Sequence, residues 1–291
     1  MSTVSNKLIT VALNISEWKA NKKDKRITQQ VAHQHGTPQE AARVYKSLLP
    51  MSSALDKVHQ QSGAIRTLYY RRTVPWEYGQ NVFKASAYLD FANEMRPMIA
   101  QWKQLVKEFL AVYPQQRIDA AMILNGMYDP ADYPEPEDME RKFDLTLRFR
   151  PLPEAGHIVI EAAEEAQSEA AEAATRELRA ELEAGIRAQY GDAMNSVWKR
   201  LYETAKHAHD RLSDPNARFH DSLIENAREL VGLLPSLNIA NDQTMNDLAA
   251  QLKASLCTHS PEVLRQPGVT RAETARAMAD IMSKMGAFYS A

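Results

Sequence analysis

The 291 residues are 44% hydrophobic and 25% charged, the proportions of an ordinary globular protein long enough to bury a substantial core. No run approaches eighteen consecutive apolar residues, which excludes a membrane-spanning helix; the single cysteine, Cys257, excludes an intrachain disulfide and suits a reducing compartment. The net charge of −2 hides an asymmetry: residues 1–76 hold 12 of the 35 Lys and Arg but 4 of the 37 Asp and Glu, leaving 23 basic against 33 acidic residues elsewhere. Such a basic block attracts polyanions, and the acidic remainder favours solubility.

The chain opens with one early lysine, Lys7, and an apolar run interrupted by Thr10 and Asn14, with no small-residue cleavage site. A buried strand over residues 7–15 is expected rather than a signal peptide, together with a cytoplasmic location. A polar, basic stretch runs from Lys19 to Gln34. Thr37, Pro38 and Glu40 then form a capping box, so a helix is predicted from Pro38 to Leu49, stopped by Pro50. Leu55, Val58, Ile65, Leu68 and Tyr69 predict a helix over 52–72, and an apolar stripe from Tyr88 to Tyr113 predicts another over 86–113. Pro97 should kink or break that helix near Glu94, and 116–125 reads as a separate short helix closed by Asn125-Gly126.

From Asp129 to Glu140 the chain is acidic and punctuated by proline. Phe143, Leu145, Leu147 and Phe149 then alternate with polar residues, predicting a strand, and 157–160 reads as the returning arm of a β-hairpin near 142–160. Between Glu161 and Leu212 only Gly185 and Gly191 interrupt a helical pattern. A helix over 161–212 would be about 75 Å long and would need a partner helix or an oligomer contact along its stripe. Amphipathic helices are predicted at 217–234 and 242–256, and a last helix opens on a capping box, Thr270 to Glu273. The fold class expected is mainly α, a helical bundle with one long helix and a small hairpin. Three consecutive regions are expected: 1–126 basic and mostly helical, 127–160 acidic loop and hairpin, 161–291 long helix and C-terminal bundle.

Familiar catalytic signatures are absent: no glycine-rich phosphate loop, no GxGxxG, no GxSxG and no HExxH. Catalytic residues, cofactor and metal are therefore expected to be none. The pairs His33/His35 and His207/His209 have i,i+2 spacing, which on a helix points two rings in different directions. Cys257 has no activating neighbour in sequence. The carboxylates of 129–140 lack the EF-hand pattern and read as a solvated linker rather than a cation site.

One cluster stands out. Residues 66–78 hold Arg66, Arg71, Arg72, Tyr69, Tyr70, Tyr78 and Trp76, cations for phosphates beside rings on which unpaired bases stack. Lys19, Lys22, Lys23, Lys25 and Arg26, next to Trp18, could extend the track. The alternative is that Leu68, Tyr69 and Trp76 are core and the arginines pair with acids of the C-terminal half.

The stretches LNISEWKANKKDKR, TVPWEYG, YPQQRIDAAMILNGMYDPADYP, FRPLP, WKRLYETAKHAHDRLSDP and FHDSLIENARELVGLLPSLNI occur in that order between about residues 8 and 240. Together they resemble a family of proteins of tailed bacteriophages and prophages that has no assigned activity. In TVPWEYG, Glu77 and Tyr78 stand where smaller polar residues are usual. The resemblance implies a protein made in a bacterium during phage growth, where DNA handling and interference with host defence are common tasks. Two roles follow. The first is a non-enzymatic nucleic-acid-binding protein, for single-stranded DNA, acting through Trp18, Lys19, Lys22, Lys23, Arg66, Tyr69, Tyr70, Arg71, Arg72 and Trp76. The second is an assembly factor that homo-oligomerises by a coiled coil of its long helix and engages a host defence protein or a phage ATPase.

Overall fold

The β-branched run that opens the chain forms a strand, β1 (Leu8–Ser16), in a computed structural model that describes residues 7–152, 168–214, 216–286 and 288. There follow β2 (Asn21–Lys23), α1 (Lys25–Gln34), β3 (Tyr45–Ser47), α2 (Ser53–Arg72), β4 (Val74–Pro75), β5 (Asn81–Lys84) and α3 (Tyr88–Leu124). The second half holds the single-turn α4 (Pro136–Met139), then β6 (Asp144–Pro151), α5 (Ser168–Ser213), α6 (Ser222–Leu237), α7 (Gln243–Leu252), α8 (Pro261–Arg265) and α9 (Val269–Met285). The architecture is mainly α, with one very long helix and a small antiparallel sheet.

Several elements differ from expectation. The helix predicted at Pro38–Leu49 is absent; a 3-10 turn, Gln39–Ala41, occupies its start and β3 its end. The helix lies earlier, in the basic stretch, because Asp24 caps it: its Oδ1 accepts the Ile27 amide at 2.9 Å. Gly36, at φ +59°, ends α1, letting the Gly36 and Thr37 amides reach the His33 and Ala32 carbonyls. The break near Pro97 and the separate helix at 116–125 are likewise overturned: α3 runs unbroken through Pro97 and Pro114 to Leu124. The burial of Trp102, Val106, Phe109, Tyr113 and Ala120 along one side outweighs the hydrogen bonds the prolines remove. Asn125, at φ +45°, does end that helix. Helix α9 begins one residue before Thr270, with Gly268 at its cap and no capping side chain, so the capping box there is not formed. The long helix runs through Gly185 and Gly191 as one piece. Residues 161–167 and the hairpin's returning arm at 157–160 lie outside the described residues, and β6 has β1 as its neighbour in the sheet.

The chain falls into two compact units built from separated stretches. The first comprises Met1–Ala12, Tyr70–Phe91 and Arg148–Ala291; the second comprises Leu13–Tyr69 and Ala92–Leu147. Of the three regions expected from the sequence, 1–126 and 127–160 each contribute to both units and 161–291 lies in the first. In the first unit the sheet order is β4-β5-β1-β6, with Leu8 opposite Lys84, Thr10 opposite Val82, and Val74 opposite Val82 on the far side. Leu8, Val74 and Val82 join the same apolar core as the C-terminal part of α5 (Val197, Trp198, Leu201), α6 (Ile224, Leu234) and α9 (Met278, Ile281, Met285). The α5 stripe is therefore covered by the chain's own helices from Ala193 onward, whereas Leu178, Leu182 and Ile186 are half-buried. Arg271, buried and without a carboxylate partner among the described residues, donates to the carbonyls of Arg211, Leu212 and Asp214 at the end of α5.

In the second unit, α2 and α3 bury Leu55, Val58, Ile65, Trp102, Phe109 and Tyr113. Trp18, at the chain's entry into this unit, lies edge-on to Tyr113 at 5.6 Å.

Candidate nucleic-acid interface

Periodicity decides the fate of the cluster at 66–78. On α2, Leu68 and Tyr69 continue the buried stripe of Val58 and Ile65, so the Tyr69 ring, 2% exposed, offers no stacking face. Arg66 extends to Glu17, its guanidinium 3.5 Å from the carboxylate, and also donates to the Ile15 carbonyl. Lys19 pairs with the same carboxylate. Glu17 in turn accepts the Ser62 hydroxyl at 2.6 Å, and Ser62 accepts the Trp102 indole N–H at 2.7 Å. Burial pushes the Glu17 carboxyl up, but hydrogen bonds from Lys19 and Ser62 and the Lys19 charge outweigh it, leaving the group below its ordinary value. Lys19 and Arg66 thus share one carboxylate in the second unit, where Trp18 packs against Phe109 and Tyr113 and Tyr69 is buried.

The remaining members lie in the first unit. Arg71 pairs with Glu229 at 2.7 Å. Arg72 is half-buried, and burial followed by the neighbouring Arg71 charge depresses its guanidinium. Trp76 packs edge-to-face on Tyr190 at 6.1 Å, while Tyr70 stays exposed. The partners that neutralise these arginines, Glu17 and Glu229, sit far off in sequence, where local composition cannot reveal them.

The second basic cluster has a different outcome. Strands β2 and β3 pair antiparallel with Lys22 opposite Lys46 and Lys23 opposite Tyr45. Opposed residues share a face and successive residues alternate, so the ribbon has two sides. On the inner side Lys22 and Lys46 converge on Asp132, at 2.5 and 2.6 Å, and Lys46 also donates to the Met127 carbonyl. Burial raises the Asp132 carboxyl, but hydrogen bonds from Lys22 and Lys46 overcome this and hold it low. On the outer side Lys23 and Tyr45 are exposed, with Arg43 two residues before the tyrosine and Lys25 two residues after the lysine. Lys23, Lys25 and Arg43 make no ion pair among the described residues. The ribbon is held firmly: the Asp24 amide donates to Val44, the Val44 amide to the Thr28 hydroxyl, and the Leu48 amide to Ala20. Tyr45 and Arg43 escaped notice because 38–49 reads as a helix; the β-favouring pair Val44-Tyr45 was the available signal.

No protein-family model, curated protein or solved structure matches this chain. The chemistry of its surface therefore stands on the residues themselves. The acidic loop is committed internally: Asp132 serves two lysines, and Glu135 holds Arg117 by two hydrogen bonds of 2.5 and 2.8 Å. Among the described residues no group of three or more His, Cys, Asp and Glu side chains could hold a metal ion, and no helix is long and apolar enough to cross a membrane. Cys257 is half-buried, and burial pushes its thiol up, away from the reactive thiolate. The second unit also exposes an apolar row on α3 (Val112, Ile118, Met122 and Ile123) outside the buried stripe. Met51, just before α2, is 81% exposed.

Proposed function

We propose that this chain is a non-enzymatic protein that binds single-stranded nucleic acid through the basic region 19–46 of its second unit, in the setting of phage growth within a bacterium. The phage setting is supported by the ordered stretches from LNISEWKANKKDKR to FHDSLIENARELVGLLPSLNI. The binding role is supported by one observation above the rest. After Glu17 and Asp132 have taken up their partners, Lys23, Lys25 and Arg43 remain exposed and without an ion pair among the described residues. Uncompensated surface cations attract a polyanion, with affinity that falls steeply as salt rises. Fluorescence anisotropy of a labelled single-stranded oligonucleotide at low ionic strength tests this; a protein that leaves the anisotropy unchanged at micromolar concentration ends it.

The second reading is self-assembly, favoured by the exposed apolar residues Val112, Ile118, Met122 and Ile123 of α3, since exposed apolar patches mark interaction surfaces. A second copy of the chain is the occupant proposed. Light scattering over a concentration series would then show mass rising in the wild type and not in Met122→Glu; a monomer throughout opposes it.

A further inference from the structure

We infer that a single-stranded polynucleotide lies along the outer face of the β2–β3 ribbon, with Tyr45 as its base-stacking platform and Lys23, Lys25 and Arg43 as its phosphate contacts. This rests on the nucleic-acid role proposed above and gives it a site; neither Tyr45 nor Arg43 belongs to the cluster that the sequence singles out.

Three features carry it. First, the register sets Tyr45 directly across from Lys23 on one face, so ring and ammonium are neighbours by construction. The Tyr45 side chain is 58% exposed on a short strand where a threonine or valine would satisfy β-propensity without wetting a ring. Second, the first turn of α1 carries Lys25 and Arg26 and no acid. The helix N-terminus is answered by the Asp24 cap and Arg26 donates to the Gly126 carbonyl, which leaves the exposed Lys25 as the cation of this turn available to a phosphate. Third, the acids of the layer beneath are already engaged: Lys22 and Lys46 converge on Asp132, and Asp129 also acts on Lys22, so none of them is left to pair with the outer cations. Two acids near these cations in sequence, Asp24 and Glu40, lower the net charge without pairing with Lys23, Lys25 or Arg43. Asp24 is buried and occupied as the α1 cap, and Glu40 forms no ion pair among the described residues. Cations flanking an open aromatic face on a rigid scaffold are what single strands use, whereas a duplex hides its base faces.

The experiment uses the full chain and two fluorescent probes, a twenty-nucleotide oligothymidylate and a duplex of equal length. Tyr45→Ala should weaken the single strand by between about 5-fold and 150-fold, the range of one stacking contact, and leave the duplex within roughly twofold. Tyr45→Phe, which keeps the ring, should bind as the wild type does. Lys23→Gln with Arg43→Gln should weaken both probes and flatten the salt dependence for the single strand by roughly 1.4 in log–log slope, about 0.7 per lost contact. All these side chains are exposed, and matching urea midpoints check that the fold is kept. If the wild type binds oligothymidylate and Tyr45→Ala binds it equally well, this site is wrong while the broader role stands. A wild type that binds neither probe removes both.

Discussion

At Glu17 a buried carboxylate answers two cations, Lys19 and Arg66, and accepts the Ser62 hydroxyl that Trp102 also reaches. Glu17→Gln would keep the shape but leave Lys19 and Arg66 without their counter-charge; the expected loss is about 1–3 kcal/mol, read from urea unfolding. Glu17 and Asp132 also predict a pH dependence. Both carboxyls lie below their ordinary values when folded, so the unfolded chain takes up protons first as pH falls. Their contribution is complete above about pH 5 and is lost as pH drops through the depressed folded values. Urea midpoints from pH 2 to 6 should fall less steeply in Asp132→Asn than in the wild type; parallel curves would refute this.

Tyr78 shows the opposite kind of residue. It is 90% exposed at φ +50°, beside Gly79 at φ +71°, in a tight turn closed by the Gln80 amide on the Glu77 carbonyl. Two left-handed residues in a hairpin turn suit Asn-Gly, and a tyrosine there is strained. Tyr78→Asn should therefore raise stability by about 1 kcal/mol, seen as a higher Tm. The burial of Tyr69 matches the alternative reading supported by its spacing with Ile65 and Leu68, not the stacking role. What could not be read was which acid meets which cation, because Glu17, Asp132 and Glu229 reach their partners across the fold.

Among the elements, those with long one-sided apolar patterns were legible: β1, α2, β6 and the long α5. Misreadings came where two local signals competed. Around 24–49 both Asp24 and Thr37 are good caps, and Asp24 prevails because its helix buries Thr28 and Ala32 and is closed by Gly36. The segment after Pro38 then returns as β3, which finds its partner in β2. In α3 Pro97 argued for a kink or break and 116–125 read as a separate helix, yet one helix carries the aromatic side of Trp102, Phe109 and Tyr113 through Pro97 and Pro114. Asp24→Ala removes the α1 cap and should cost about 1 kcal/mol. Because the Asp24 backbone also ties α1 to Val44, the same variant should increase amide exchange at residues 44–48; unaltered exchange there would separate the cap from the ribbon.

Taken as a whole chain, the basic N-terminal quarter and the acidic remainder are partly reconciled within each unit. In the second unit Asp132 and Glu135 of the acidic loop meet Lys22, Lys46 and Arg117, which makes that loop a source of structural counter-charge. In the first unit Glu229 meets Arg71, and the C-terminal half of α5 is buried under α6 and α9, which weakens the case that this helix needs a partner along its whole length. Part of the positive charge left over lies at the β2–β3 ribbon, where Lys23 stands opposite Tyr45 and Lys25 and Arg43 flank the two strands in sequence. The most direct test is the slope of log affinity against log salt for a labelled single strand, with wild type and the Lys23→Gln, Lys25→Gln, Arg43→Gln triple variant compared. About three neutralised phosphates give a slope near −2 in the wild type, and the variant should be almost flat. No binding by the wild type at the lowest salt, or an unchanged slope in the triple variant, would contradict the account.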